Sequence, residues 1–294
     1  MEEHDRKMLL APLRGVTIRA FRETFAAAIR EAGFTGAVAP FVPANPGFRG
    51  TDRVFADLRP AERFDLPLVP QAISKDPDAL RLFLEACKVR GFDRADLNAG
   101  CPFPMIVRRG RGAGLFKDPD LFERLVATGC ETMGPGKFSV KTRLGLADPD
   151  EIFGMLPRLN RHPLANLTLH ARTARQAYGG ECDAARAAAV AAASANPVVY
   201  NGDAGCRGEA PPPCFAGVMV GRSFVRALGA REDAGELLAD YVARSRAELS
   251  GDAPVLGRVK ELVSYWTESS RAWKRRWGAI KICRSLDELA AAVR

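Results

Sequence analysis

Short β-branched or apolar runs alternate along the chain with longer segments rich in Ala, Leu and Arg that carry a helical period. Such alternation predicts repeated βα units around a parallel sheet. The candidate strands are Met8–Ala11, Gly36–Ala39, Leu68–Ala72, Ala95–Asn98, Phe138–Arg143, Asn166–His170, Pro197–Tyr200 and Gly217–Val220. Eight parallel strands are the number that closes a barrel. Helices are expected over Arg19–Ala32, Pro77–Arg90, Pro119–Met133, Pro149–Asn160 and Cys182–Ala195, with Asp118 and Asp148 as N-caps ahead of prolines at the first helical position. The seventh connection, Gly205–Phe215, contains Pro211-Pro212-Pro213, so a truncated or irregular crossover is expected there.

After Arg222 the period becomes purely helical through Glu236–Glu248, Val259–Arg276 and Leu286–Val293. The predicted fold class is therefore α/β, a (β/α)8 TIM barrel over residues 1–230 followed by a small all-α helical domain over 231–294. Within the second part Trp266, Trp273 and Trp277 have the i, i+7, i+11 spacing of one helix face. Core packing is the first reading of that stripe, and stacking on exposed bases is the alternative.

Charge sharpens this picture. The 294 residues carry a formal net charge of +8, and between 258 and 284 eight basic residues stand against two acidic ones. A polyanionic partner would meet that excess. Seven scattered cysteines with no C-x-x-C pair suggest a reduced protein without a zinc site. No apolar run approaches the roughly 20 residues needed to cross a bilayer, and the charged start Met1-Glu2-Glu3-His4 does not resemble a secretion signal. A cytoplasmic location, no membrane partner and no bound metal are expected.

In a barrel of this kind the chemistry belongs at the C-terminal ends of the strands. Those ends read Pro12, Gln71, Asn98 with Cys101, Lys141 with Arg143, His170 with Arg172, Asn201-Gly202-Asp203 and Gly221-Arg222. The end of the fourth strand, at Asn98 and Cys101, is the most distinctive. A lone thiol at Cys101 is followed by Pro102 and then by the basic, glycine-punctuated run Arg108-Arg109-Gly110-Arg111-Gly112-Ala113-Gly114. This is how a reactive cysteine would be presented, as nucleophile or as proton donor according to its pKa. Arg108, Arg109 and Arg111 read equally as phosphate ligands or as a solvated loop.

From about Leu9 to Val293 the chain resembles the dihydrouridine synthases, flavoenzymes that reduce uridine in tRNA. The resemblance is carried by Asn98-Ala99-Gly100-Cys101-Pro102 with Val107, Gly110, Gly112, Ala113 and Leu115, which matches the family signature N-x-G-C-P…V…G-x-G-A-x-L. Leu10–Thr17, Val140–Gly145, Leu169–Tyr178, Tyr200–Asp203 and Gly217–Arg222 support it in order and spacing. It implies a divergent bacterial-type member with FMN as cofactor, NADPH as electron donor and tRNA as partner, acting as a monomer. Cys101 would be the general acid. Pro12, Gln71, Asn98, Lys141, His170, Asn201, Gly202, Asp203, Gly221 and Arg222 would bind the cofactor. Arg143, Arg172 and Tyr178 would line the substrate pocket, while Arg108, Arg109, Arg111, Lys274, Arg275 and Arg276 would hold RNA.

The chain departs from the family pattern at Leu13, where Met is common, and at Phe103-Pro104, where Ser-Pro is common. These departures bear on which uridine and which RNA are chosen, ribosomal RNA included. Two other readings are a barrel flavoenzyme acting on a free pyrimidine, as the dihydroorotate dehydrogenases do, and an RNA-binding protein without catalysis.

Overall fold

A computed structural model describes residues 7–203 and 213–293. The chain order is β1 (Lys7–Leu10), α1 (Arg19–Thr24), α2 (Ala26–Glu31), β2 (Gly36–Val38), β3 (Val42–Pro43), β4 (Leu68–Val69), β5 (Gln71–Ile73), α3 (Pro77–Val89), β6 (Ala95–Ala99), α4 (Pro104–Arg108), α5 (Pro119–Met133), β7 (Phe138–Gly145), α6 (Glu151–Leu159), β8 (Asn166–Thr173), α7 (Ala184–Ala193), β9 (Val198–Asn201) and β10 (Gly217–Val220). Five further helices follow, α8 (Arg222–Leu228), α9 (Ala234–Glu248), α10 (Asp252–Trp266), α11 (Arg271–Ile280) and α12 (Leu286–Val293).

Ten short strands make eight staves. Pro40 and Pro70 offer no N–H to a ladder, so each divides its stave into two short strands. β2 pairs with β4 and β3 with β5, while β5 pairs with β6 and β1 with both β2 and β10. Every pairing is parallel and the ring closes on itself. All eight predicted strands are present in the fold.

Side chains along a strand alternate between the two faces of the sheet. On β6, Leu97 and Ala99 belong to the outer core with Phe138, Val140, Leu167 and Leu169 of the neighbouring strands. The alternate positions Asp96, Asn98, Ser139, Lys141, Thr168, His170 and Asn201 therefore share the inner face. A small apolar cluster, Ala11, Val38, Val199 and Met219 with Leu9 and Val69 against it, packs among the strands on that face.

Helix boundaries follow local chemistry. Asp118 caps α5 through the Leu121 amide at 3.0 Å, with Pro119 at the first position, as the sequence predicts. Asp148 does not cap α6. Instead the Glu151 carboxylate accepts from the amides of Leu146, Ala147 and Asp148, which holds those residues in a turn and delays the helix to Glu151. The expected helix Arg19–Ala32 is two helices, parted at Phe25.

The expected helix Val259–Arg276 is also two, α10 and α11, joined by a turn over residues 267–270. That turn is tied to α8 by an Arg226–Glu268 ion pair at 2.8 Å and by the Ser269 hydroxyl donating to the Arg226 carbonyl. The three tryptophans consequently do not share one helix. Trp266 is fully buried, lies 5.0 Å from Trp273 between ring centres and meets Phe25 edge-on. Core packing is the reading these two rings support. Through Phe21, Phe25, Tyr241, Val259 and Trp266 the C-terminal helices share one apolar cluster with the barrel. Of the expected Pro-rich seventh crossover, Gly205–Phe215, residues 205–212 lie outside the described residues.

Helix α5 packs tightly on β7. A Cβ at Gly129 would collide with the Phe138 ring. Gly129→Ala should therefore destabilise the fold by about 1–3 kcal/mol despite the higher helix propensity of alanine, read as a lower denaturant midpoint; an unchanged midpoint would show that Phe138 can yield.

Candidate active site

Asn98 organises the cysteine loop. Its Oδ1 accepts from the amides of Cys101 at 2.9 Å and Gly100 at 3.2 Å, while its Nδ2 donates to Gln71 Oε1 at 2.9 Å. Gln71 Nε2 donates in turn to Asp96 Oδ2 at 2.7 Å, and the Ser139 hydroxyl donates to Asp96 Oδ1 at 2.5 Å. A chain of buried hydrogen bonds thus runs from the barrel interior to the backbone of the thiol. Behind Cys101 the loop folds back. Gly112 has φ +56°, and a Cβ there would stand 2.8 Å from both the Cβ and the carbonyl of Cys101. A Cβ at Gly114 would stand 2.5 Å from the Val107 carbonyl. These two glycines permit close packing that seats the cysteine.

Cys101 opens into a cavity of 470 Å³ at the C-terminal end of the barrel, within the size range of small-molecule and cofactor sites. One side is apolar, with Ala11, Pro12 and Leu13; elsewhere the wall bears Asn98, Lys141, Arg143, His170, Tyr178, Asn201, Gly202, Gly221 and Arg222. Five cationic side chains, Arg14, Lys141, Arg143, Arg222 and Arg258, face one carboxylate, Glu261. An anionic ligand suits such a wall.

The fields in this pocket set the protonation states. Burial holds the Lys141 ammonium down to about 7, with neighbouring Arg143 adding to the effect and Asp96 opposing it. Lys141 donates to Asn201 Oδ1 at 2.7 Å, and Asn201 donates on to the Met219 carbonyl. Burial raises Asp96 to about 6 against its bonds from Ser139 and Gln71. His170 lies well below the usual imidazole range, first from burial and then from the surrounding cations, and is neutral at pH 7. Burial likewise pushes the Cys101 thiol up, so it stays protonated at neutral pH.

Three arginines brace the rim. Arg143, lowered to about 10 by burial, donates from Nε to the Gly100 carbonyl and from Nη1 to the carbonyls of Thr173 and Ala177. This links the cysteine loop to the loop after β8, where Ala177 takes φ +50°, a left-handed conformation that few non-glycine residues adopt. Arg172 forms a bidentate pair with Asp203 at 2.6 and 3.0 Å. Arg222 lies over the Tyr178 ring, 4.5 Å from its centre.

Most of the residues singled out from the sequence meet at this cavity, and several do not. Gln71 is fully buried beneath Asn98, away from the cavity wall, and Arg172 and Asp203 pair with each other beside it. Arg108 at the end of α4 and Arg109 just after it are exposed, and Arg111 further along is half-buried. Lys274 and Arg275 are exposed on α11, with Arg276 lying over the Trp273 ring. The sequence did not single out Arg14, Phe41, Arg258, Glu261 and Tyr265, all of which border the cavity together with Phe103. It also passed over Asp96, which strand alternation places on the same face as Asn98.

Comparison with known proteins agrees with this geometry. Residues 9–227 match the family described as Dihydrouridine synthase (Dus). The tRNA-dihydrouridine(16) synthase of Cupriavidus necator is 30% identical over 233 residues, covering 74% of this chain and 70% of that protein. Its namesake from Ralstonia nicotianae is 30% identical over 241 residues, covering 74% and 69%. Morphinone reductase has a similar fold, with a TM-score of 0.53, 12% identity, and 75% and 83% coverage. The chain belongs to the dihydrouridine synthase family.

A thiol held up by burial reacts slowly, because the thiolate is the nucleophile. Iodoacetamide at pH 7.5 should modify exposed Cys214 well before Cys101, and the Cys101 rate should climb as the pH is raised. Peptide mass spectrometry would follow both; equal rates would place the Cys101 thiol in the ordinary range.

Proposed function

We propose that the protein reduces the C5–C6 double bond of uridine in tRNA to 5,6-dihydrouridine, with FMN as cofactor, NADPH as electron donor and Cys101 as general acid. It would act as a cytoplasmic monomer, the barrel of residues 1–230 carrying the chemistry and residues 231–294 helping to hold the RNA. The observation that carries this reading is a protonated thiol sharing one cavity with a cationic, partly apolar wall, in a chain of this family.

The donor set fits a flavin mononucleotide. Ala11, Pro12 and Leu13 offer an apolar surface for a flat ring, and Asn98 and Lys141 offer polar partners for its edge. At Gly202 and Gly221 the backbone is bare of side chains, and Arg222 adds charge, as a phosphate requires. Neutral His170 supplies a hydrogen bond without further charge. Hydride transfer is what a bound flavin provides here, since no side chain can.

The chain's own residues account for the rest. Cys101 keeps its proton on Sγ at neutral pH and delivers it to C5 of the base, after which solvent restores the thiol. Asn98, held by Gln71 and Asp96, fixes the cysteine loop, and Arg143 clamps that loop to the one after β8. A uracil in folded RNA must leave its stack to reach the cavity. The exposed cations Lys274 and Arg275 on α11, and Arg108 and Arg109 beside the cysteine loop, suit the phosphates of that RNA.

Mapping dihydrouridine in cellular RNA with and without the protein tests the reading directly; no lost site would overturn it. Cys101→Ala should retain flavin and NADPH oxidation yet form dihydrouridine about 10²–10⁴-fold more slowly, measured by nucleoside mass spectrometry. Undiminished product would remove Cys101 from the role. Reversing Lys274 and Arg275 to Glu should weaken tRNA binding and lower the slope of log K on log salt by about two; an unchanged slope would leave both as solvated charges.

A further inference from the structure

Beside the cavity that holds Cys101 lies a second concave region of 550 Å³. The two share a wall, because Arg14, Phe41 and Arg258 border both. Asn45, Phe48 and Arg49, from the segment between β3 and β4, complete the second groove. Nearby arginines are engaged, Arg19 with Glu248 at 2.8 Å and Arg90 with Asp52 at 2.9 Å. Arg14, Arg49 and Arg258 make no ion pair within 4.0 Å among the described residues. The one carboxylate bordering this groove, Asp57, is occupied by the Arg22 guanidinium and the Arg19 amide. Arg14 lies over the Phe41 ring, 5.6 Å from its centre. The groove thus combines two aromatic rings with three guanidinium groups that form no ion pair within 4.0 Å among the described residues, Arg14 and Arg258 standing in the field of Glu261 and Arg49 apart from it.

We propose that this groove is a nucleotide subsite taking the RNA residue next to the reduced uridine, its phosphates met by Arg14, Arg49 and Arg258 and its base by Phe41 and Phe48. The inference rests on the reading of the first cavity as a uridine site. A polymer with one base in that cavity must lead its backbone out across the rim, and the shared wall of Arg14, Phe41 and Arg258 opens directly onto the groove. Aromatic faces with flanking arginines are a sequence-tolerant platform for unstacked bases. A dinucleotide electron donor is the competing occupant; it would have to place its nicotinamide in the first cavity, where the uridine must also fit.

Arg49 is the residue to change, because it is exposed, borders the second groove and not the first, and pairs with no carboxylate among the described residues. With flavin-loaded enzyme and tRNA lacking dihydrouridine, Arg49→Glu should raise KM for tRNA about tenfold or more. Flavin content and KM for NADPH should not move, and Arg49→Lys should recover most of the loss. An unchanged KM for tRNA overturns the proposal, as does a raised KM for NADPH alone, which would give the groove to the dinucleotide. Wild-type enzyme that modifies tRNA while Arg49→Glu matches it sinks the subsite alone; wild-type enzyme that modifies no tRNA removes the reading beneath it as well.

Discussion

The active end of this protein depends on the two-residue period of parallel strands in a closed ring. Each stave must bury one face against the surrounding helices, and Leu97, Val140 and Leu169 do so. Asp96, Asn98, Ser139, Lys141 and His170 then have no choice but the inner face. A one-residue slip in any stave would exchange the two sets, exposing charge to the apolar outer layer and leucine to the cavity. Register is therefore fixed by the core, and the chemistry inherits it.

Placing charge on that inner face has a cost that the pocket meets internally. Lys141 and Asp96 are each shifted by burial toward their neutral forms, yet each is the other's compensating charge. Ser139, Gln71 and Asn201 provide the hydrogen bonds that make burial of polar atoms tolerable. The same network reaches the Cys101 amide through Asn98. Electrostatic compensation and placement of the thiol are consequently one arrangement, and a change at Asp96 would be felt at the loop it supports.

The C-terminal helices do more than cover the barrel. Arg258, Glu261 and Tyr265 on α10 complete the mouth of the cavity. Gly15, with φ +84°, allows this approach, since a Cβ there would run into the carboxylate of Glu261 and the guanidinium of Arg258. Because Tyr241 and Trp266 bury themselves against Phe25 of the barrel, the position of α10 is set by the core. Contact between the Cys101 cavity and the helical region is thus a consequence of packing.

The sequence by itself determined the staves, the polar rim and the cysteine loop, because alternation, prolines and short motifs are local signals. Eight strands and the cavity residues Cys101, Asn98, Lys141 and His170 were legible in that way. It could not show that Val259–Arg276 breaks into two helices, since the turn is held by Arg226 and by the fit of Trp266 against Phe25, partners remote in the chain. Nor could it show that Arg172 is occupied by Asp203, that Gln71 lies beneath the cavity, or that Arg14, Phe41 and Arg258 meet beside it. Local pattern decides which face a residue takes, whereas only the closed ring and the docked helices decide which distant residues share that space.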